Sequence, residues 1–131
     1  MAVVNQVDKY HLQLRDGDPI IGAVGKIGCF GGKVDKSEIG NEKQTVAREL
    51  AEETNLVLKP EDFRYLNTVE VESDHQLEPV LVQAKVYQVL IPYGFEVIAK
   101  EGQLVSWTGK EIREHMDELT PATKAFFTGY F

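Results

Sequence analysis

Two pieces of sequence decide how this chain is read. The first is Phe30-Gly31-Gly32-Lys33-Val34. The second is Asn41-Glu42-Lys43-Gln44-Thr45-Val46-Ala47-Arg48-Glu49-Leu50-Ala51-Glu52-Glu53-Thr54-Asn55-Leu56. The second predicts a helix from Asn41 to Thr54. Asn41 is a good N-cap residue, and Gln44 stands at the reciprocal capping position. Val46, Ala47, Leu50 and Thr54 form one apolar stripe at helical spacing. Asn55 follows where chains commonly turn left-handed, a conformation Asn tolerates second only to Gly.

Each helical residue advances about 100° around the axis. Glu49, Glu52 and Glu53 therefore share a sector of roughly 100°, offset from the apolar stripe. Like charges at this spacing repel by a few tenths of a kcal/mol per pair. A divalent cation would reverse the sign. The cluster holds oxygen ligands and neither His nor Cys, so the ion it suits is Mg²⁺, or Mn²⁺, rather than zinc. The plainer reading is a solvated acidic helix face. Gly31-Gly32, ten residues upstream of the helix, shifts the balance. A glycine pair lets backbone approach a ligand closely and can offer a carbonyl to a metal, although alone it is an ordinary tight turn.

Working outward, Val3-Val4 and Tyr10 to Leu14 read as strands around a turn at Gln6 to Lys9. Tyr10, Leu12 and Leu14 alternate with polar residues, which predicts one buried face. Asp16 to Pro19 is a loop signal, and Ile20 to Phe30 reads as irregular with short extended pieces. Phe63 to Val71 and Leu104 to Trp107 are further strands. Pro79 to Ile91 is a central one, ended by Pro92-Tyr93-Gly94. Gly109 to Met116 is a helix, and Thr120-Pro121 opens the last one. These elements predict an α/β fold: an α/β/α sandwich with a mixed β-sheet packed between helices, residues 1–131 forming a single domain.

Composition narrows the function. Hydrophobic residues make up 43% and charged residues 27% of 131, ordinary values for one soluble domain. No apolar run approaches the ~18 residues of a membrane span, and the N-terminus does not read as a signal peptide. A single cysteine, Cys29, permits no internal disulfide. The expected setting is the reducing cytoplasm. A net charge of −7 repels a polyphosphate chain, which argues against a nucleic-acid polymer as partner. A small phosphate ligand needs local help from a metal or from backbone N–H groups.

Together the quoted residues resemble the Nudix box, G-x5-E-x7-R-E-U-x-E-E-x-G-U with U aliphatic. Gly32 is followed after five residues by Glu38, and Arg48-Glu49-Leu50-Ala51-Glu52-Glu53-Thr54-Asn55-Leu56 supplies the core of the motif. Leu12 to Asp16 is similar to the strand before the box. There are two departures. Nine residues separate Glu38 from Arg48 where the pattern has seven, which puts the role of Glu38 in question and makes Glu42 a substitute. Asn55 replaces the box glycine.

The resemblance implies a Nudix-type sandwich with a loop–helix–loop metal-binding box. It implies a Mg²⁺-dependent hydrolase (Mn²⁺ as substitute) that cuts the pyrophosphate linkage of a nucleoside diphosphate derivative. Metal ligands would be Glu49, Glu52, Glu53 and the Gly32 carbonyl. Arg48 would orient Glu49, unless it is simply a surface ion pair with Glu52. Glu49 is the first candidate for the base. Gly31, Gly32, Lys33 and Arg15 would face the substrate. Glu101, in Lys100-Glu101-Gly102-Gln103, stands where the nucleoside-triphosphate-cleaving branch adds a Glu to the metal site, so it is nominated as ligand or base; otherwise it is an acidic turn residue. The expected partner is a small nucleoside phosphate, an oxidised or noncanonical triphosphate included, and a homodimer would be typical of the family. The alternatives are a nucleotide-sugar hydrolase and a non-catalytic Nudix-fold module that binds a nucleotide. Cys29, Tyr65 and Trp107 read as core, His75 as an exposed loop residue, and His11 and His115 have no visible partner pattern.

Overall fold

Alternation along two strands divides the core in two. In β1 (Ala2–Gln6), Ala2 and Val4 join one buried apolar cluster and Val3 the other. In β5 (Leu81–Leu90), Tyr87 and Val89 go one way and Val86 the other. Successive strand side chains point to opposite faces, so both strands lie in a middle layer covered on both sides. One face is covered by α1 (Glu42–Glu53) through Val46, Ala47 and Leu50. The other is covered by Ile112 of α2 (Gly109–Glu114) and by Phe126 and Phe127 of α3 (Pro121–Tyr130). This is the expected α/β/α sandwich. The computed structural model describes residues 1–15, 25–31, 40–72 and 81–131. The expectations on Asp16 to Pro19, Gly32, Lys33, Glu38 and His75 fall outside the described residues.

The sheet is mixed. β1 runs parallel to β5 and antiparallel to β2 (Lys9–Leu14). β2 pairs along its whole length with β6 (Gln103–Thr108), and through Gln13 and Leu14 with β3 (Ile27–Gly28). β4 (Arg64–Glu72) pairs antiparallel with β5. Residues of β2 that bond β1 or β3 also bond β6, so β6 takes one edge of β2 while β1 and β3 share the other. β2 is therefore interior, and here the expectation of one buried face fails: His11 and Gln13 are buried along with Leu12. His11 has partners after all. Its ring nitrogens lie 2.7 Å from Ser106 Oγ and 2.8 Å from Gln6 Oε1, and burial lowers its pKa.

The helix ends differ in detail from expectation. Asn41 makes no side-chain cap to α1, and the expected Gln44 bond is absent with it; the Asn41 carbonyl accepts from the Thr45 N–H instead. Asn55 does not turn left-handed, because Thr54 already leaves the helix extended, at φ −140° and ψ 178°. The reciprocal cap appears at α2, where Thr108 and Glu111 exchange bonds. Thr120 precedes Pro121 as expected, but its hydroxyl bonds Thr123 rather than capping the helix. Cys29 is buried, its N–H bonds Thr123 Oγ1, and burial pushes its thiol up to about 12. Tyr65 and Trp107 are less enclosed than expected: Tyr65 is exposed, and Trp107 is partly buried and stacked on His115.

The two-residue turn between β1 and β2 carries Val7 at φ +58° with an exposed side chain. A non-glycine residue pays about 1–2 kcal/mol for that conformation. Glycine adds unfolded-chain entropy of about 0.5–1 kcal/mol but removes the clash. Strain relief is the larger effect, so Val7→Gly should raise stability by up to about 1 kcal/mol, read from urea unfolding at unchanged slope.

Candidate functional site

Glu53, the last residue of α1, is a buried carboxylate with 7% exposure. Its Oε2 accepts the Gly31 N–H at 3.2 Å. Gly31 sits at φ +126°, and a Cβ there would come within 3.0 Å of the Met1 backbone, so only glycine brings this N–H so close. The apolar stripe of α1 anchors the other side. Leu50, one turn back, is fully buried, and Thr54 Oγ1 donates to the Leu50 carbonyl at 2.7 Å.

A loop from β5 to β6 closes on the same helix end. The Lys100 N–H donates to the Glu53 carbonyl at 2.7 Å, and Thr54 forms an antiparallel bridge with Ala99. The Asn55 N–H donates to the Ile98 carbonyl at 3.1 Å. Beyond Glu101, Gly102 takes φ +64°, and a Cβ there would lie 2.3 Å from the Leu14 carbonyl oxygen. Gln13 Nε2 donates to the Glu101 carbonyl at 3.0 Å. The loop is thus tied to the helix end on one side and to β2 on the other, with Glu101 between.

The electrostatics follow from this enclosure. Burial is the main force carrying the Glu53 carboxyl up to about 7. The Gly31 N–H opposes it, the Glu49 and Glu101 charges add to it, and Arg15 opposes it again. Glu53 therefore feels the charges of Glu49, Glu101 and Arg15. Glu52 is turned differently. Its side chain is 53% exposed and takes Arg48 Nη1 at 3.0 Å, while Arg48 Nη2 lies 3.3 Å from Glu49. Arg48 thus contacts both flanking carboxylates. Among the described residues no three acidic or imidazole side chains converge as a ready cation cage. A cavity of about 410 Å³ opens at the other end of α1, between residues 40–44, Pro60, Tyr65 and Tyr87; it is lined by Glu42, the residue raised as a substitute for Glu38, and by none of Glu49, Glu52, Glu53 or Glu101.

A buried acid with one N–H donor and two acidic neighbours is poorly matched to an uncompensated charge and well matched to a hard divalent cation. Glu53, Glu49 and Glu101 would supply oxygen donors of the kind such an ion takes, although among the described residues they do not converge on one point. Sequence reading missed three contributors: Gln13, Thr54 and the side chain of Asn55. The only local signal was Asn55 itself, the departure from the box pattern.

A family model described as NUDIX domain matches residues 4–128. The chain belongs to the Nudix hydrolase family. The fold agrees with solved structures. The MutT NUDIX hydrolase from Burkholderia pseudomallei superposes with a TM-score of 0.69 at 24% identity, covering 97% of this chain and 92% of that one. The NUDIX domain of Shewanella oneidensis NrtR, complexed with ADP ribose, gives 0.65 at 23% over 95% and 78%. A bifunctional NMN adenylyltransferase/ADP ribose pyrophosphatase from Francisella tularensis, complexed with AMP and a Mn ion, gives 0.69 at 19%; 97% of this chain spans 38% of that one. At these identities the likeness is one of fold. No curated protein matches the sequence. Among the described residues no helix is long and apolar enough to cross a membrane.

The raised Glu53 pKa has a stability consequence in metal-free protein. Between about 4.5, its ordinary value, and about 7, the folded state holds the proton more tightly than the unfolded chain. Stability therefore falls as pH rises through that window and levels off above it. Melting temperature measured from pH 4.5 to 8 in chelator should decline for the parent, and the decline should be weaker in Glu53→Gln.

Proposed function

We propose that this chain is a divalent-metal-dependent pyrophosphohydrolase cleaving the phosphoanhydride of a nucleoside diphosphate derivative, with a nucleoside triphosphate as the favoured substrate class. The observation that carries this reading is the Glu53 carboxylate, buried at the end of α1 against the Gly31 N–H, with Glu49 and Glu101 close enough to raise its pKa. The tilt to a triphosphate comes from Glu101 and its Lys100-Glu101-Gly102-Gln103 setting. The ADP ribose bound to the Shewanella domain supports a nucleotide-sugar as the runner-up.

Glu53, Glu49 and Glu101 would hold Mg²⁺ or Mn²⁺. Such an ion, when bound, screens the phosphate charges and acidifies a coordinated water. Glu53 is fixed in direction by Gly31 and by the helix end. Glu49 is less buried, its side chain 17% exposed, and would be the carboxylate that takes a proton from the attacking water. Glu52 can join at little cost. Its exposed pair with Arg48 is worth roughly 0–1 kcal/mol, so little holds it away. Arg15 carries a positive charge that Glu53 feels and that a substrate phosphate would meet. The sole Cys is inert and takes no part.

The test is turnover. The protein is incubated with Mg²⁺ and a panel of nucleoside triphosphates, nucleotide sugars and dinucleoside polyphosphates, and phosphate and pyrophosphate release is followed. Glu53→Gln should lose activity by ~100-fold or more. Full turnover in that variant would refute the assignment of Glu53. Nucleotide binding without turnover across the panel would instead favour a non-catalytic module. Activity on nucleotide sugars with none on triphosphates would reverse the substrate preference.

A further inference from the structure

We infer that Asn55, standing where the box pattern has glycine, is a positioning residue that sets Glu101 against Glu53. The inference rests on reading Glu101 as part of the metal site. Asn55 uses both ends of its amide. Nδ2 donates to the Glu96 carbonyl at 2.8 Å, and Oδ1 accepts the Ile98 N–H at 2.8 Å. Its own N–H reaches the Ile98 carbonyl at 3.1 Å. The side chain therefore pairs with the backbone on either side of Val97, as a neighbouring peptide would in a sheet. Val97 is itself buried in the cluster beneath α1, so the grip is on an anchored segment.

From that grip the chain has few residues to reach Glu101, and each is committed. Ala99 bridges Thr54, and the Lys100 N–H bonds the Glu53 carbonyl. A slip of one residue in the 96–98 segment would carry the Lys100 N–H away from Glu53 and the Glu101 carbonyl away from Gln13 Nε2. A glycine at position 55 would keep at most the backbone bond and lose both side-chain bonds. Without a left-handed turn at this position, the box glycine has no conformational duty here. The asparagine does a different job: it joins the box helix to the loop that brings an acid from outside the box.

Support of this kind, one step removed from the ligands, is worth ~10–100-fold in metal affinity. The experiment is a double-mutant cycle on the full chain, with Mn²⁺ alone as the probe and titration calorimetry as the readout. N55G should bind Mn²⁺ ~10-fold more weakly than the parent, E101Q should lose a comparable factor, and the double variant should bind no more weakly than E101Q. In metal-free protein, the Ile98 and Lys100 amides should exchange faster in N55G than in the parent. N55D keeps the bond from the Ile98 N–H and turns the donor to Glu96 into an acceptor, so it should fall between; if N55G does not fold, the cycle is run with N55D. Equal losses from the Asn55 change in both backgrounds would mean a general structural role and overturn the inference while Glu101 kept its place. E101Q binding Mn²⁺ as the parent does would remove Glu101 from the site and overturn both.

Discussion

The whole arrangement depends on keeping a carboxylate dry at the end of a helix. Glu53 is 7% exposed in a fold whose other buried groups are apolar or internally bonded polar ones. A buried ionised acid is costly unless it is compensated. Among the described residues the groups that favour its charge are the Gly31 N–H, Arg15 and the Met1 N-terminus, and they stand against Glu49 and Glu101. The molecule tolerates this because the surrounding backbone is over-determined. Leu50 holds the helix from below, Gly31 supplies the donor, and the 98–102 segment closes the open side. Under the proposed function, a site prepared in this way would meet its desolvation cost during folding and leave the gain for an arriving ion.

The sandwich explains why these parts meet. β1 and β5 are the only parallel pair among the described strands, and they form the middle of the sheet. β2 is interior as well, so its end can receive Gly102 from one side while Gln13 holds the Glu101 carbonyl. α1 lies across one face and delivers Glu53 to the edge where Phe30 pairs with Ala2 and Gly31 follows. α2 and α3 cover the other face through Ile112, Phe126 and Phe127. The division of the core into two clusters is thus also a division of labour between a face that shapes the site and one that supplies stability.

Much of this was legible in the chain. The stripe of Val46, Ala47, Leu50 and Thr54 was readable because helical period is a local property, and all four are buried. The element order was readable for the same reason. What escaped was set by distant partners. A helical wheel places Glu49, Glu52 and Glu53 on one sector, yet Glu53 is buried and Glu52 faces solvent. The difference comes from Gly31 and Lys100, each far from the helix in sequence. The burial of His11 and Gln13 escaped because alternation cannot say whether a strand is interior. Asn55 was noticed as a departure but assigned the wrong conformation, since the bridge from Thr54 to Ala99 is invisible to local rules.

Cys29 is the sole thiol, and it lies two residues from Gly31 in the layer shared with Thr123. With its ionisation pushed to about 12, it holds almost no thiolate at neutral pH. An alkylating reagent added to the native protein therefore meets nothing to attack until that layer opens. The rate of labelling becomes a clock for the opening of the sheet beside the acidic cluster, and adding a divalent ion should slow it without any change being introduced into the chain.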